Sequence, residues 1–136
     1  MHLKEVQTIK ASWRLLQLVD PLVIGDVFYS KLFFEHPQLK ALFKTSKEEQ
    51  SKKLIDMLNV IVGRLDRLNE LNDDIAALAL RHAAYGVLPQ HYKSVTEALL
   101  FTLQKGMGND WNAETEQAWQ SCLTTLSATM IKAAYS

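Results

Sequence analysis

Apolar residues recur every three or four positions along most of the chain, which is the spacing of an amphipathic α-helix. The period-two alternation typical of strands is not sustained in any stretch. A helix that contains His82 is expected to begin at a cap on Asn72 or Asp73 and to end at Gly86. The other predicted helices cover residues 4–18, 21–34, 47–67, 89–106 and 113–134, with a short helical turn at 37–43. The pattern therefore predicts an all-α fold, and we expect residues 1–136 to form a single domain.

Short sequence signals support the predicted helix ends. Asp20 is followed by a proline, which is typical of an N-cap before the first turn of a helix. Ser46 and Glu49 have the spacing of a capping box, so a helix is expected to begin at Lys47. Gly25 lies inside a predicted helix, where glycine costs up to ~1 kcal/mol relative to alanine. We therefore expect another backbone to approach closely at Gly25.

Charge and cysteine content exclude several classes of function. The chain has 15 basic and 15 acidic residues and no basic block, which argues against nucleic acid and membrane surfaces as partners. Cys122 is the only cysteine, so an internal disulfide and a cysteine-rich zinc site are excluded, and the thiol is expected to be buried and inert. No secretory or membrane-spanning stretch is present. We therefore expect a soluble cytoplasmic protein.

His82 is the first candidate for chemistry. Leu78 lies four residues before it and Ile75 seven residues before it, so all three share one helix face. A neutral imidazole on a buried face needs a hydrogen bond or a metal ion. For a lone histidine, a hydrogen bond to a backbone carbonyl is the ordinary outcome, and the residues alone leave both interpretations open.

Two more polar groups are predicted to point inward. Gln50 lies one turn before Leu54 on the apolar face of the helix that begins at Lys47. Tyr29 lies one turn after Gly25 and faces the same inner surface, where its hydroxyl needs a partner. The alternative is that Tyr29 donates to a backbone carbonyl and that Gln50 turns toward solvent.

The order of these features resembles the globin family over essentially the whole chain. Pro37 followed by Phe43 is similar to the proline and the aromatic wedge that the family places at the haem, and His82 stands at the place of the iron-ligating proximal histidine. The similarity is strongest to bacterial single-domain globins and to the globin domain of flavohaemoglobins.

That closer similarity rests on short motifs in the expected order. They are Phe28-Tyr29, the Gln50-x-x-x-Leu54 pattern, and Tyr92 ten residues after His82. The resemblance implies a globin fold with a haem b cofactor, whose iron is five-coordinate and held by His82. It places Tyr29, Gln50 and Leu54 on the side where gases bind, with Tyr29 and Gln50 donating hydrogen bonds to bound dioxygen.

The same resemblance implies a set of haem-contacting residues, which are Phe28, Phe43, Leu54, Met57, Leu58, Leu78, Arg81, Val87, Tyr92, Val95 and Met130. Each apolar member could equally be ordinary core in a helical bundle. Arg81 points outward and meets either a haem propionate or water.

The chain also departs from the flavohaemoglobin pattern. It ends at Ser136 with no glycine-rich dinucleotide motif, so we expect no reductase domain. The family's acidic partner of the proximal histidine falls at Ala134, which argues against peroxidase-like chemistry. Lys53 is a solvated lysine, a partner of a haem propionate or an internal ligand of the iron. The remaining histidines do not align with the gas-binding side, and they are His2, His36 and His91.

These expectations favour a protein that binds dioxygen, nitric oxide and carbon monoxide. Nitric oxide dioxygenation would require a separate reductase as partner, so whether the protein is an enzyme stays open, and we assign no catalytic residue. Two alternatives remain. One is a haem-based gas or redox sensor acting through a partner, and the other is a haem-free interaction module in which His82 is only a core residue.

Overall fold

The computed structural model describes residues 2–135, and of residues 68 and 69 the backbone alone. Six α-helices account for most of it, and no strand is present within residues 2–135. They are α1 (Leu3–Leu16), α2 (Pro21–Glu35), α3 (Lys47–Gly63), α4 (Asn72–Ala84), α5 (Pro89–Met107) and α6 (Ala113–Tyr135). Short 3₁₀ segments cover Pro37–Leu42, Leu65–Leu71 and Gly108–Asp110. The predicted all-α fold is confirmed.

Local caps fix three of the helix ends as predicted. The Asp20 carboxylate accepts the backbone N–H of Leu22 at 2.9 Å. The Ser46 hydroxyl accepts the backbone N–H of Glu49 at 3.2 Å. Each bond satisfies a donor that the first turn of a helix leaves unpaired. After α4, Gly86 adopts a φ of 97°, a left-handed conformation that glycine takes without steric cost.

The prediction was wrong between α3 and α4. Helix α3 ends at Gly63 rather than continuing to residue 67, and the chain proceeds as a 3₁₀ segment. Leu65 and Leu71 are both buried. The segment is kinked at Arg67, whose φ of −138° and ψ of 40° are not helical. The chain therefore forms two short 3₁₀ turns in place of the predicted continuous helix, and a leucine is buried at each end.

The predicted cap of α4 was also wrong. Asn72 is the first residue of the helix, Leu71 occupies the cap position, and no side chain caps the helix there. Neither Asn72 nor Asp73 serves as the cap, because the preceding 3₁₀ segment runs directly into α4.

Helix α1 packs against α6, and buried polar groups are paired at the contact. The indole N–H of Trp119 donates to the Ser12 hydroxyl at 2.8 Å, and that hydroxyl donates to the Ile9 carbonyl at 2.8 Å. The rings of Trp13 and Trp119 lie 6.1 Å apart between centroids. Pairing of the polar atoms lets two tryptophans contribute their apolar area without an unsatisfied donor.

Helices α2 and α3 cross where Gly25 meets Ser51. A Cβ atom at Gly25 would lie 1.8 Å from the Ser51 hydroxyl oxygen and 2.3 Å from the Ser51 Cβ. The close approach expected at Gly25 is confirmed, and its partner is α3.

Helix α4 stands apart from most of the bundle. It packs against α6 and against the 3₁₀ segment before it, and within residues 2–135 none of its Cα atoms lies within 8 Å of α2, α3 or α5. In the described part of the chain α3 and α4 therefore do not pack against each other, and we call the space that separates them the slot. None of the described helices is long and apolar enough to cross a membrane.

Candidate functional site

His82 lies half-buried on α4, with one ring nitrogen already paired. Its Nδ1 atom lies 2.8 Å from the Leu78 carbonyl oxygen. Because a carbonyl accepts and never donates, Nδ1 carries the proton of this bond. In the neutral ring the Nε2 atom then keeps its lone pair, which is the form that ligates a metal ion. The carbonyl bond and the ligand role, which the sequence offered as alternatives, are therefore compatible.

His82 does not belong to a cluster of protein metal ligands in the part of the chain that the structure describes. No group of three or more His, Cys, Asp or Glu side chains there could hold a metal ion. A group bound at Nε2 that brings most of its own ligands suits this arrangement. A haem is such a group, because its macrocycle supplies four nitrogens and the protein only an axial ligand.

Side chains around the slot are apolar and incompletely covered. Five of the predicted haem contacts are half-buried and pack on one side against the core, and they are Phe43, Met57, Leu78, Val87 and Val95. Five others are buried in the core, namely Phe28, Leu54, Leu58, Tyr92 and Met130. The first group leaves apolar area free for a flat cofactor, and the second forms part of the core. Arg81 is exposed, as its outward position predicted.

An aromatic cluster surrounds the Tyr29 ring on α2. Its centroid lies 4.8 Å from that of Phe28, 5.3 Å from Phe43 and 5.8 Å from Phe33. The contacts to Phe28 and Phe43 are edge-to-face, an arrangement that aromatic rings prefer. Phe33 was not among the predicted site residues, although its position one turn after Tyr29 indicated a shared face.

The Tyr29 hydroxyl donates to the backbone carbonyl of Gln50 at 3.2 Å. This is the alternative partner that the sequence left open, and Gln50 itself is half-buried. Burial raises the pKa of Tyr29 to about 12. The phenol therefore stays protonated at neutral pH and keeps its hydrogen-bond donor.

Two tyrosines lie near the segment that follows α4. The Tyr92 hydroxyl is buried and has no hydrogen-bond partner among the described residues. The pKa of Tyr92 is raised, mainly by burial and to a smaller extent by the neighbouring Tyr135. The Tyr135 hydroxyl donates to the Val87 carbonyl, and the Val87 N–H donates to the His82 carbonyl at 3.0 Å. Helix α6 thus fixes the end of the helix that carries His82. This contact was not predicted, because the last helix was expected to end before Tyr135.

The remaining residues that the sequence singled out lie elsewhere. Lys53 is exposed on α3. His91 is half-buried and its Nδ1 atom accepts the Leu88 N–H at 3.0 Å, so it pairs with the start of α5 rather than simply facing water. Cys122 is buried, and burial raises the pKa of its thiol to about 11, as expected of an inert cysteine.

Several known proteins are similar to this chain in sequence. The globin family model matches residues 26–130. An uncharacterized globin-like protein of Aquifex aeolicus is 34% identical over 76% of this chain and 73% of its own length. Neuroglobin of Tetraodon nigroviridis is 30% identical over 93% of this chain and 88% of its own length. Flavohemoprotein A of Dictyostelium discoideum is 30% identical over 96% of this chain, which spans 33% of that longer protein.

Solved structures give the same result. An engineered carbene transferase, whose parent is assigned as a nitric oxide dioxygenase of Rhodothermus marinus, has a TM-score of 0.83 at 27% identity, over 94% of this chain and 89% of the other. A bacterial globin from Campylobacter jejuni has a TM-score of 0.82 at 22% identity, over 96% and 94%, and supports the fold alone. The chain belongs to the globin family, whose cofactor is haem.

Proposed function

We propose that this globin holds haem b through His82 and binds dioxygen, nitric oxide and carbon monoxide in the slot between α3 and α4. The observation that supports this most directly is the Nδ1 bond of His82 to the Leu78 carbonyl, which leaves Nε2 free as a ligand. When bound, the haem supplies an iron with one coordination position for a diatomic gas. All further discrimination between gases depends on the residues around that position.

The half-buried apolar residues of the slot would hold the macrocycle. Phe43 and Met57 contribute from one side and Leu78 and Val95 from the other, each with its inner part already packed on the core. Because these side chains are partly covered before the cofactor binds, little conformational entropy remains to be lost on binding. Exposed Arg81 is suited to pair with a carboxylate of the cofactor.

Tyr29 is the group that would favour dioxygen over carbon monoxide. Its hydroxyl donates to the Gln50 carbonyl oxygen at 3.2 Å, and breaking that hydrogen bond costs ~0.5–1.5 kcal/mol. A hydrogen bond to a partly charged ligand returns ~1.5–3 kcal/mol. The net gain is about 1–2 kcal/mol, which corresponds to roughly 5- to 30-fold slower release of dioxygen. The Gln50 amide is the second donor that we propose on this side.

We further propose nitric oxide dioxygenation with a separate reductase, in the cytoplasm. Overall, one nitric oxide, one dioxygen and one electron from the reductase give one nitrate. The likeness to flavohemoprotein A and to a structure whose parent is assigned as a nitric oxide dioxygenase supports this activity. Slow release of dioxygen also suits a reaction that consumes it at the site.

Substitution of the proposed ligand tests the cofactor assignment. His82→Ala should abolish the intense visible absorption of the purified protein or replace its five-coordinate ferrous spectrum. His91→Ala is the matched control, because that imidazole lies at the start of α5 and its loss should leave the spectrum unchanged. Retention of the wild-type spectrum by His82→Ala would refute the assignment.

Rapid mixing separates the binding protein from the enzyme. The oxygenated protein is mixed with excess nitric oxide, with and without a reductase and its electron source. Nitrate well above the protein concentration in the presence of reductase supports dioxygenation. Nitrate that never exceeds one equivalent, with reductase present, refutes the enzymatic proposal and leaves gas binding intact.

A further inference from the structure

An exposed apolar patch lies where α1 turns into α2. We call it the corner patch, and its members are Leu15, Leu18, Leu22, Val23 and Val60. Leu18 is 85% exposed, more than most other large apolar side chains of the described chain. Contiguous exposed apolar groups of this kind mark interaction surfaces. The patch covers the end of α1, the α1–α2 turn, the start of α2 and Val60 on α3, and it includes no predicted haem contact.

A cavity of about 220 Å³ opens beside the corner patch. It is lined by Trp13, Leu16, Gln17, Val19, Pro21, Ile24, Ile55 and Asn59. Every member of the corner patch is the immediate chain neighbour of at least one lining residue. Leu18 lies between two lining residues, Gln17 and Val19, so this exposed side chain forms a projection at the rim of the recess.

Two hydrogen-bond donors at this recess share one acceptor. The Asn59 side-chain oxygen accepts the Trp13 indole N–H at 2.7 Å and the Gln17 amide N–H at 3.0 Å. The remaining walls are apolar, from Leu16 and Ile24 among others. An apolar side chain can therefore enter without leaving these donors unpaired. A leucine side chain has four carbon atoms. At about 30 Å³ for each, the volume of one water molecule in the liquid, the side chain would fill roughly half of the cavity.

Opposite charges border the corner patch. Arg14 lies one helical turn before Leu18, and Asp20 lies two residues after it. Both are exposed, and neither takes part in an ion pair within residues 2–135. A surface that carries a projection, a matching recess and both signs of charge is complementary to itself under a two-fold rotation.

We propose that a second copy of this chain docks on the corner patch to form a two-fold symmetric dimer. Leu18 of each copy enters the cavity of the other, and Arg14 of each copy faces Asp20 of the other. Such a dimer leaves the slot between α3 and α4 open, so gas binding and association are independent. The proposal therefore does not depend on the function proposed above.

Sedimentation velocity of the haem-loaded protein over a wide concentration range tests the proposal. The wild type should rise from the monomer mass of 15.5 kDa toward twice that value. Leu18→Glu should weaken association about a hundredfold, because both copies lose a buried leucine. Leu3→Glu is the matched control, since Leu3 is also exposed on α1 but lies outside the corner patch. Both variants should keep the wild-type visible spectrum.

Charge variants test the orientation of the two copies. Arg14→Asp should weaken the dimer because like charges then face each other, and Asp20→Asn in that background should restore part of the affinity. Asparagine keeps the cap of α2, so stability is preserved. A wild type that remains monomeric at all concentrations would overturn the proposal. Equal effects of Leu18→Glu and Leu3→Glu on association would also overturn it. A small apolar molecule that stays bound to the wild type in native mass spectrometry, and is lost when the cavity is filled, would do the same.

Discussion

Alanine at position 25 tests the crossing of α2 and α3, on which the position of Gln50 depends. Inside a helix, Gly→Ala normally stabilises by up to ~1 kcal/mol. Here the new Cβ would lie 1.8 Å from the Ser51 hydroxyl oxygen, 2.3 Å from its Cβ and 3.0 Å from its Cα. The hydroxyl can rotate, but the Cβ and the backbone cannot move without shifting α3. Overpacking of this kind costs ~1–3 kcal/mol, and the contacts place Gly25→Ala near the upper end.

The expected net effect of Gly25→Ala is therefore a destabilisation of about 2 kcal/mol. For a chain of 136 residues this corresponds to a fall in Tm of about 5–10 °C. Thermal and urea unfolding, followed by far-ultraviolet circular dichroism, measure it directly. Gly63→Ala is the matched control, because a Cβ at Gly63 meets nothing within 4 Å and should be neutral or stabilising by ~0.4–1 kcal/mol.

A double variant assigns the loss of stability to the contact itself. Ser51→Gly removes both the hydroxyl and the Cβ that the alanine would meet, so the two substitutions together should cost less than the sum of their separate effects. Additive effects would show that the destabilisation arises elsewhere. A Gly25→Ala protein as stable as Gly63→Ala would refute the close crossing altogether.

Two further predictions concern Tyr29 and the buried ionisable groups. Tyr29→Phe should speed dioxygen release roughly 5- to 30-fold in stopped-flow measurements, while release of the less polar carbon monoxide changes little; an unchanged dioxygen rate would remove Tyr29 as a donor. The free energy of unfolding should fall as the pH rises from 9 to 12, because burial raises the pKa of the Cys122 thiol to about 11 and that of the Tyr29 phenol to about 12. The folded protein holds these protons more tightly, so stability present below pH 9 is lost at higher pH. Cys122→Ala should remove the early part of the fall in urea titrations at each pH, and an unchanged profile would contradict that assignment.

Features of the fold that depend on a few neighbouring residues were predictable from the sequence. The caps at Asp20 and Ser46 each involve a donor two or three residues away, so the local sequence determines them. Gly25 indicated a close approach, although the sequence could not say that Ser51 would meet it. The end of α3 was not predictable in the same way, because it depends on whether Leu65 and Leu71 find room in the core together.

The hydrogen-bond partners at the site were likewise predictable only where they lie close by in the chain. The sequence identified Tyr29 and His82 as inward-facing groups that need hydrogen bonds. His82 finds its partner one turn back on its own helix, at the Leu78 carbonyl, which the register of α4 supplies. Tyr29 finds its partner on another helix, at the Gln50 backbone. Tyr135 meets Val87 across two elements that are far apart in the chain. The partners of Tyr29 and Tyr135 depend on how the helices pack, and helix periodicity alone does not specify that packing.

Residues on the single apolar face of helix α4 differ in how deeply they are buried. Ile75, Leu78 and His82 share that face by periodicity, and the sequence could treat them only as one set. In the structure Ile75 and Ala79 are buried, whereas Leu78 and His82 remain half-covered at the slot. Within residues 2–135, α4 packs on α6 and the preceding 3₁₀ segment and on no other helix, so its half-covered side chains keep apolar area that a bound cofactor could cover. Degree of burial, rather than membership of the face, therefore separates the residues that stabilise the fold from those that we propose to hold the cofactor.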